Sequence, residues 1–402
     1  MRVFKAQTKK VRFLAFVGLR GWSAMGVLFL FYAVSLRSGV DGIAKYSLVW
    51  AFCFIGSIFI RLGAEVLVLR DVSGAASVAS LRIIKTAVFV VLLRAWLVIP
   101  VILLVAYSFG SLDSAAMKWG LVAGSLMCLC PLFSFYLRGR GNMLLSVIPE
   151  YGVIAWLMGS DSVLIAIAGH GFLDVIIFGM VLGSLLFIAF FLMARPGIEW
   201  KSWSLFITKS QLLNSFQGWG MVAVSPFFLS TFQISVFSVL SRVNQVPSLV
   251  LQTLNIVYAP KYANASKERD LAGLISNWAE CRKISVLTVL GFAALLVPLI
   301  NVIASAFSIS EGSYYIEFSS MILGHFFVAL SGGALMLFNM SNNENKTFFI
   351  MLCAVAGQFA FIFLFGFIGS LWVYCASFSV FNFVVMVMAY SRLRVEFQGA
   401  KE

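Results

Sequence analysis

Four arginines stand where a charge is hardest to explain. Arg20, Arg61, Arg94 and Arg242 each lie well inside a long apolar run. By spacing they sit about 7–9 residues from the nearest polar end, or roughly 10–13 Å deep at 1.5 Å per helical residue. A guanidinium at such depth in hydrocarbon costs at least ~2.5–3.5 kcal/mol. An ion pair, snorkelling toward the interface or a water-filled cavity offsets that cost. Arg61 has an acid four residues on, Glu65, on the same helix face. Arg94 and Arg242 have no acid close in sequence. Guanidinium forks bind two oxygens of a phosphate together, so a cavity lined by these residues suits a phosphate-bearing anion. The acids placed to pair with them or to carry a coupling ion are Glu65 and Glu150, the latter after Pro149. Nucleophile–base constellations and metal-ligand spacings are missing. The two histidines, His170 and His325, have no second ligand nearby. Cys128 and Cys130 are two apart and do not share a helix face. No catalytic residue, metal or cofactor is expected.

The elements that must position these arginines follow from composition. Of 402 residues, 61% are hydrophobic and 11% charged. A soluble domain carries about 25% charged residues, so the surrounding solvent is hydrocarbon. Membrane helices need about 20 apolar residues. Twelve such runs are found, at 13–36, 46–69, 86–109, 117–137, 144–167, 172–194, 206–229, 234–258, 284–308, 316–340, 347–367 and 371–390. The basic start Met1–Arg12 leads straight into the first, with no cleavage pattern.

Charge fixes the expected orientation. The formal balance is +13. With a cytoplasmic N-terminus, twenty-two basic residues fall in inside segments, and only Arg37, Lys45 and Lys118 fall outside. The excess is therefore a topology signal, and no nucleic-acid partner is expected. Both termini are expected in the cytoplasm. The longest hydrophilic stretch, 259–283, is expected as an interfacial segment. Gly332-Gly333 is expected to allow close helix approach. Pro226, Pro247 and Pro298 are expected to kink their helices.

The two halves resemble each other weakly. Tyr46-Ser47 is followed by Arg70 as Phe237-Ser238 is by Lys261, at the same spacing of 24. This suggests six-helix bundles over 1–198 and 199–402.

These stretches resemble a known family. Gly42–Arg70, with Arg61 through Arg70 at its end, is similar to helix 2 of polysaccharide-exporting flippases. Ser235–Asp270, with Ser241-Arg242 and Pro260-Lys261, and the region of Ser331-Gly332 and Asn342–Lys346 are similar to later parts of the same proteins. The family is the O-antigen (Wzx-type) branch of the multidrug/oligosaccharidyl-lipid/polysaccharide (MOP) superfamily. The resemblance implies an all-α integral membrane protein with about 12 transmembrane helices in two six-helix bundles around a central cavity. It implies a non-enzymatic flippase in the bacterial inner membrane that moves undecaprenyl-pyrophosphate-linked oligosaccharide. Coupling to H+, Na+ or the membrane potential would drive it, among membrane lipids and beside a polysaccharide polymerase and chain-length machinery. One position departs from the pattern. Members often carry an acid two residues before the helix 2 glycine, where this chain has Arg61. A multidrug or small-solute exporter of the same fold stays open. A membrane polysaccharide polymerase fits less well, because the outer loops are short.

Overall fold

The structure, a computed structural model, describes residues 2–72, 77–108, 122, 128–142, 144–147, 209–210, 212–213, 216–309, 312–341, 343–368 and 370–399. Every regular element among them is helical. Six helices are long and apolar enough to cross a membrane, or seven if one bent pair counts as a span. The chain is a multi-pass membrane protein. It divides into two compact units, Met1–Ala223 and Val224–Glu402.

In the first unit, helix α1 runs Arg2–Arg61 and is folded at one residue, Gly39 (φ 62°, ψ −161°). A straight helix would hold Phe31 and Tyr46 about 22 Å apart. Their rings instead meet edge to face at 5.7 Å. Leu30 and Trp50, twenty residues apart, share one buried cluster. The two limbs therefore form an antiparallel hairpin. The loop expected between the runs 13–36 and 46–69 is reduced to this glycine, because only glycine readily adopts those angles. Arg37, Asp41 and Lys45 at the fold are exposed.

The next helix, α2 (Ala64–Val72), continues the second limb after a break at Leu62-Gly63. Helix α3 (Ser77–Ser108) and helix α4 (Leu129–Gly139) pack against α2. Ile60, Ala64, Val68, Val88, Val91 and Leu132 form the core between them. The expected spans 144–167 and 172–194 lie outside the described residues, except for a 3-10 turn at Leu145–Val147. The expected helix 206–229 is not one regular helix where it is described. A π turn (Phe216–Gly220) leads into α5 (Met221–Val224) and a 3-10 turn (Ser225–Phe227). Two glycines and Pro226, which lacks a backbone donor, account for the irregularity.

The second unit contains α6 (Thr231–Lys267), α7 (Leu271–Ala306), α8 (Tyr315–Ser331), α9 (Ala334–Met340), α10 (Glu344–Phe365) and α11 (Leu371–Gly399). Helix α11 packs on both α8 and α10, and α7 packs on both α6 and α8. The hydrophilic stretch 259–283 is not a separate interfacial segment. It remains helical as extensions of α6 and α7, and only 268–270 connects them. Asp270 caps α7 by accepting from the Gly273 amide at 2.9 Å. Lys261 pairs with Glu280 across the two extensions at 3.4 Å. The expected helix 316–340 is broken by Gly332 (φ 61°) and Gly333 (φ 73°), with a bend of 42° between α8 and α9.

Candidate functional site: a charged cluster at a broken helix

The break after α1 sets the site. Leu62 adopts φ 45° and Gly63 φ 78°, so the backbone turns left-handed inside an apolar run. A non-glycine residue there costs about 1–2 kcal/mol. The Leu62 amide still donates to the Ile58 carbonyl at 2.7 Å. The Arg61 carbonyl no longer faces a regular next turn, and the guanidinium of Arg94, from α3, donates to it through Nη1 at 3.4 Å.

The Arg61 side chain closes over the same break. Its Nη1 donates to Glu65 Oε1 at 2.7 Å, and its Nε donates to the Ser57 carbonyl at 3.2 Å. The two side chains are 9% and 7% exposed, so the pair is almost fully removed from its surroundings. Ile60, Ala64 and Val68, which flank the pair in sequence, belong to the buried apolar cluster shared with α3 and α4. Glu65 Oε2 is buried with no donor among the described residues. Among the described residues, two guanidiniums and the Glu65 carboxylate thus meet at one unwound turn.

The structure brings together Arg61, Glu65 and Arg94, three of the six residues singled out in the sequence. Arg61 is at a helix end, not several residues inside a helix, because the break follows it directly. Arg242 lies in the other unit, on α6, and is 2% exposed. Arg20 belongs to α1, and its side chain lies outside the described ones. Glu150 also lies outside the described residues.

Near Arg242 on α6, His325 Nε2 is 2.8 Å from the Asn244 carbonyl. A carbonyl only accepts, so Nε2 carries the proton. His325 is a satisfied packing residue, with its ring against Phe378. Among the described residues no cluster of metal-binding side chains occurs.

A second unwound turn lies at Gly332-Gly333. Three side chains from three helices hold its carbonyls. Tyr390 Oη of α11 donates to Leu330 at 3.0 Å, Trp278 Nε1 of α7 to Ser331 at 2.8 Å, and Tyr262 Oη of α6 to Gly332 at 3.3 Å. Arg282 Nη1 donates in turn to Tyr390 Oη at 2.7 Å. Sequence reasoning missed this collar. The available signal was the Gly-Gly pair inside an apolar run, which calls for donors elsewhere in the chain.

Discontinuous helices with charged or polar groups at the unwound turn recur in membrane transporter folds. No family model matches the chain, and no curated protein matches it. Solved structures do share its fold, which is that of the MATE transporters of the MOP superfamily. One is the inward-facing conformation of a multidrug resistance MATE family transporter of that superfamily. It matches with a TM-score of 0.72 and 15% identity, over 94% of this chain and 95% of that one. The outward-facing conformation of such a transporter matches at 0.60 and 14% identity, over 97% and 96%. A MOP superfamily transporter from Pyrococcus furiosus matches at 0.62 and 16% identity, over 97% and 96%. That protein is described as having a binding pocket of reverse polarity that suggests a different function.

Proposed function

We propose that this chain is a transporter for an anionic, phosphate-bearing substrate, and that the substrate is a lipid-linked oligosaccharide pyrophosphate flipped across the bacterial inner membrane. The observation that carries the reading is the cluster at Leu62-Gly63, where the guanidiniums of Arg61 and Arg94 come together beside the Glu65 carboxylate. A pocket for organic cations needs the opposite balance. Within the second unit, Arg242 is a further arginine buried on a membrane helix, α6. The pocket of reverse polarity in the Pyrococcus furiosus transporter is a precedent for a change of charge preference within this fold. The resemblance of residues 42–70 and 235–270 to polysaccharide flippases supports the lipid-linked substrate.

In this reading Glu65 competes with the substrate for Arg61. The phosphate oxygens offer Arg61 a second pair of acceptors, and its guanidinium then turns from Glu65 to the substrate. Arg94 steadies the unwound turn through the Arg61 carbonyl and contributes charge. Outward movement of an anion also follows an inside-negative potential, worth about 2.3 kcal/mol per charge per 100 mV.

The test is a deletion strain. Lipid-linked repeat units should accumulate in it, and the native gene should clear them. Arg94→Ala and Arg242→Ala should fail to clear them at unchanged membrane abundance. Full clearance by both variants overturns the role of the arginines.

The second reading is a multidrug exporter. It is favoured by the multidrug transporters of the same fold and by the buried Glu65 carboxylate, which suits an organic cation. A deletion strain that becomes sensitive to cationic dyes, with no change in lipid-linked intermediates, would decide for it.

A further inference from the structure

A cleft of about 420 Å³ opens beside the α8–α9 break, lined by Trp278, Tyr390, Ser391, Leu393 and Arg394. Its place in the fold is distinctive. The apolar span of α11 ends at Arg394, and Trp278 stands near the start of α7, so the cleft lies at the end of two membrane-crossing helices. Aromatic and basic side chains at that level belong to the membrane–water boundary. We propose that this cleft binds the phosphate headgroup of an anionic phospholipid, with an acyl chain laid along α7.

Charge supports a phosphate. Arg394 lines the cleft and is exposed. Arg282 stands over the Trp278 ring at 5.1 Å and donates one N–H to Tyr390 Oη. Among the described residues Arg282 has no other acceptor, and a guanidinium carries five N–H donors. Among the described side chains the nearby acid, Glu280, pairs with Lys261. Basic pockets between membrane helices at this level suit anionic lipid headgroups.

The lipid-facing surface of α7, beyond the cleft, supports a lipid rather than a free ion. In the membrane-crossing window of α7 only 11% of residues are buried. Leu287, Leu290, Leu295 and Val302 are exposed along it. A lipid chain covers such a face, and a free phosphate would not. The cleft wall is also the Tyr390 that holds the Leu330 carbonyl, so an occupied cleft braces the unwound turn.

The experiment uses the full chain in nanodiscs of phosphatidylcholine with a minor share of phosphatidylglycerol, with retained lipid read by native mass spectrometry. The native protein should retain phosphatidylglycerol preferentially. Arg394→Gln should lower that preference about fivefold, the worth of one basic side chain at an anionic surface. Arg392→Gln, on the same helix but outside the cleft lining, should keep it. Ser391→Glu, which puts a negative charge into the cleft, should abolish it and gives an independent reading if Arg394→Gln folds poorly. The proposal is overturned if the native protein shows no preference, if Arg392→Gln lowers it as much as Arg394→Gln, or if millimolar inorganic phosphate displaces the lipid.

Discussion

Arg61 and Glu65 form an ion pair that is under 10% exposed on both sides. Such a pair contributes little as a pair, but removing one partner leaves an uncompensated buried charge. Glu65→Leu should therefore destabilise the protein by about 3–5 kcal/mol. The double variant Arg61→Met, Glu65→Leu should recover most of that loss, because neither charge of the pair remains to be buried. Thermal unfolding in detergent checks both. Clearance of lipid-linked intermediates should stay absent in the double variant, which separates the stability of the pair from its use. Arg94 shows the same logic on a backbone group. Its bond to the Arg61 carbonyl stands in for a helical donor that the break removes.

Two breaks and one fold point carry the geometry at the scale of elements, and glycine acts differently at each. At Gly39 an added Cβ meets nothing within 4 Å, so the requirement is torsional alone. At Gly332 the torsion is left-handed, and an added Cβ would also lie 2.8 Å from Arg282 Cβ and 2.9 Å from Trp278 Nε1. Gly39→Ala should lower stability by about 1–3 kcal/mol. Gly332→Ala should cost more, because Trp278 must also leave the Ser331 carbonyl. Comparing their denaturation midpoints in detergent tests that order. Trp278→Phe keeps the ring and loses the donor, and should cost about 1–3 kcal/mol for the carbonyl left behind. A Trp278→Phe variant as stable as the native protein would remove the collar from the account of the break.

The whole molecule is set by its solvent. Exposed leucines on α3 and α7 are ordinary in hydrocarbon. The charge of +13 then concerns orientation and lipid contact. Reporter fusions after Arg140 and at the C-terminus should both read as cytoplasmic, as the distribution of basic residues requires. A periplasmic signal at either site would reverse the expected direction of transport.

Apolar run length and the spread of Lys and Arg determined, without any structure, that this chain is helical and lives in a membrane, because a bilayer imposes its thickness and its intolerance of charge locally. The i, i+4 spacing also made the Arg61–Glu65 pair legible. The fold of α1 at Gly39, the breaks after Arg61 and Ser331, and the donors that hold their carbonyls were decided only in three dimensions. Each depends on partners tens of residues away: Arg94 lies 33 residues from Arg61, and Tyr390 lies 60 from Leu330. A helix can open inside a membrane only where such distant side chains take up its freed backbone groups, and nothing in the local sequence says which ones will arrive.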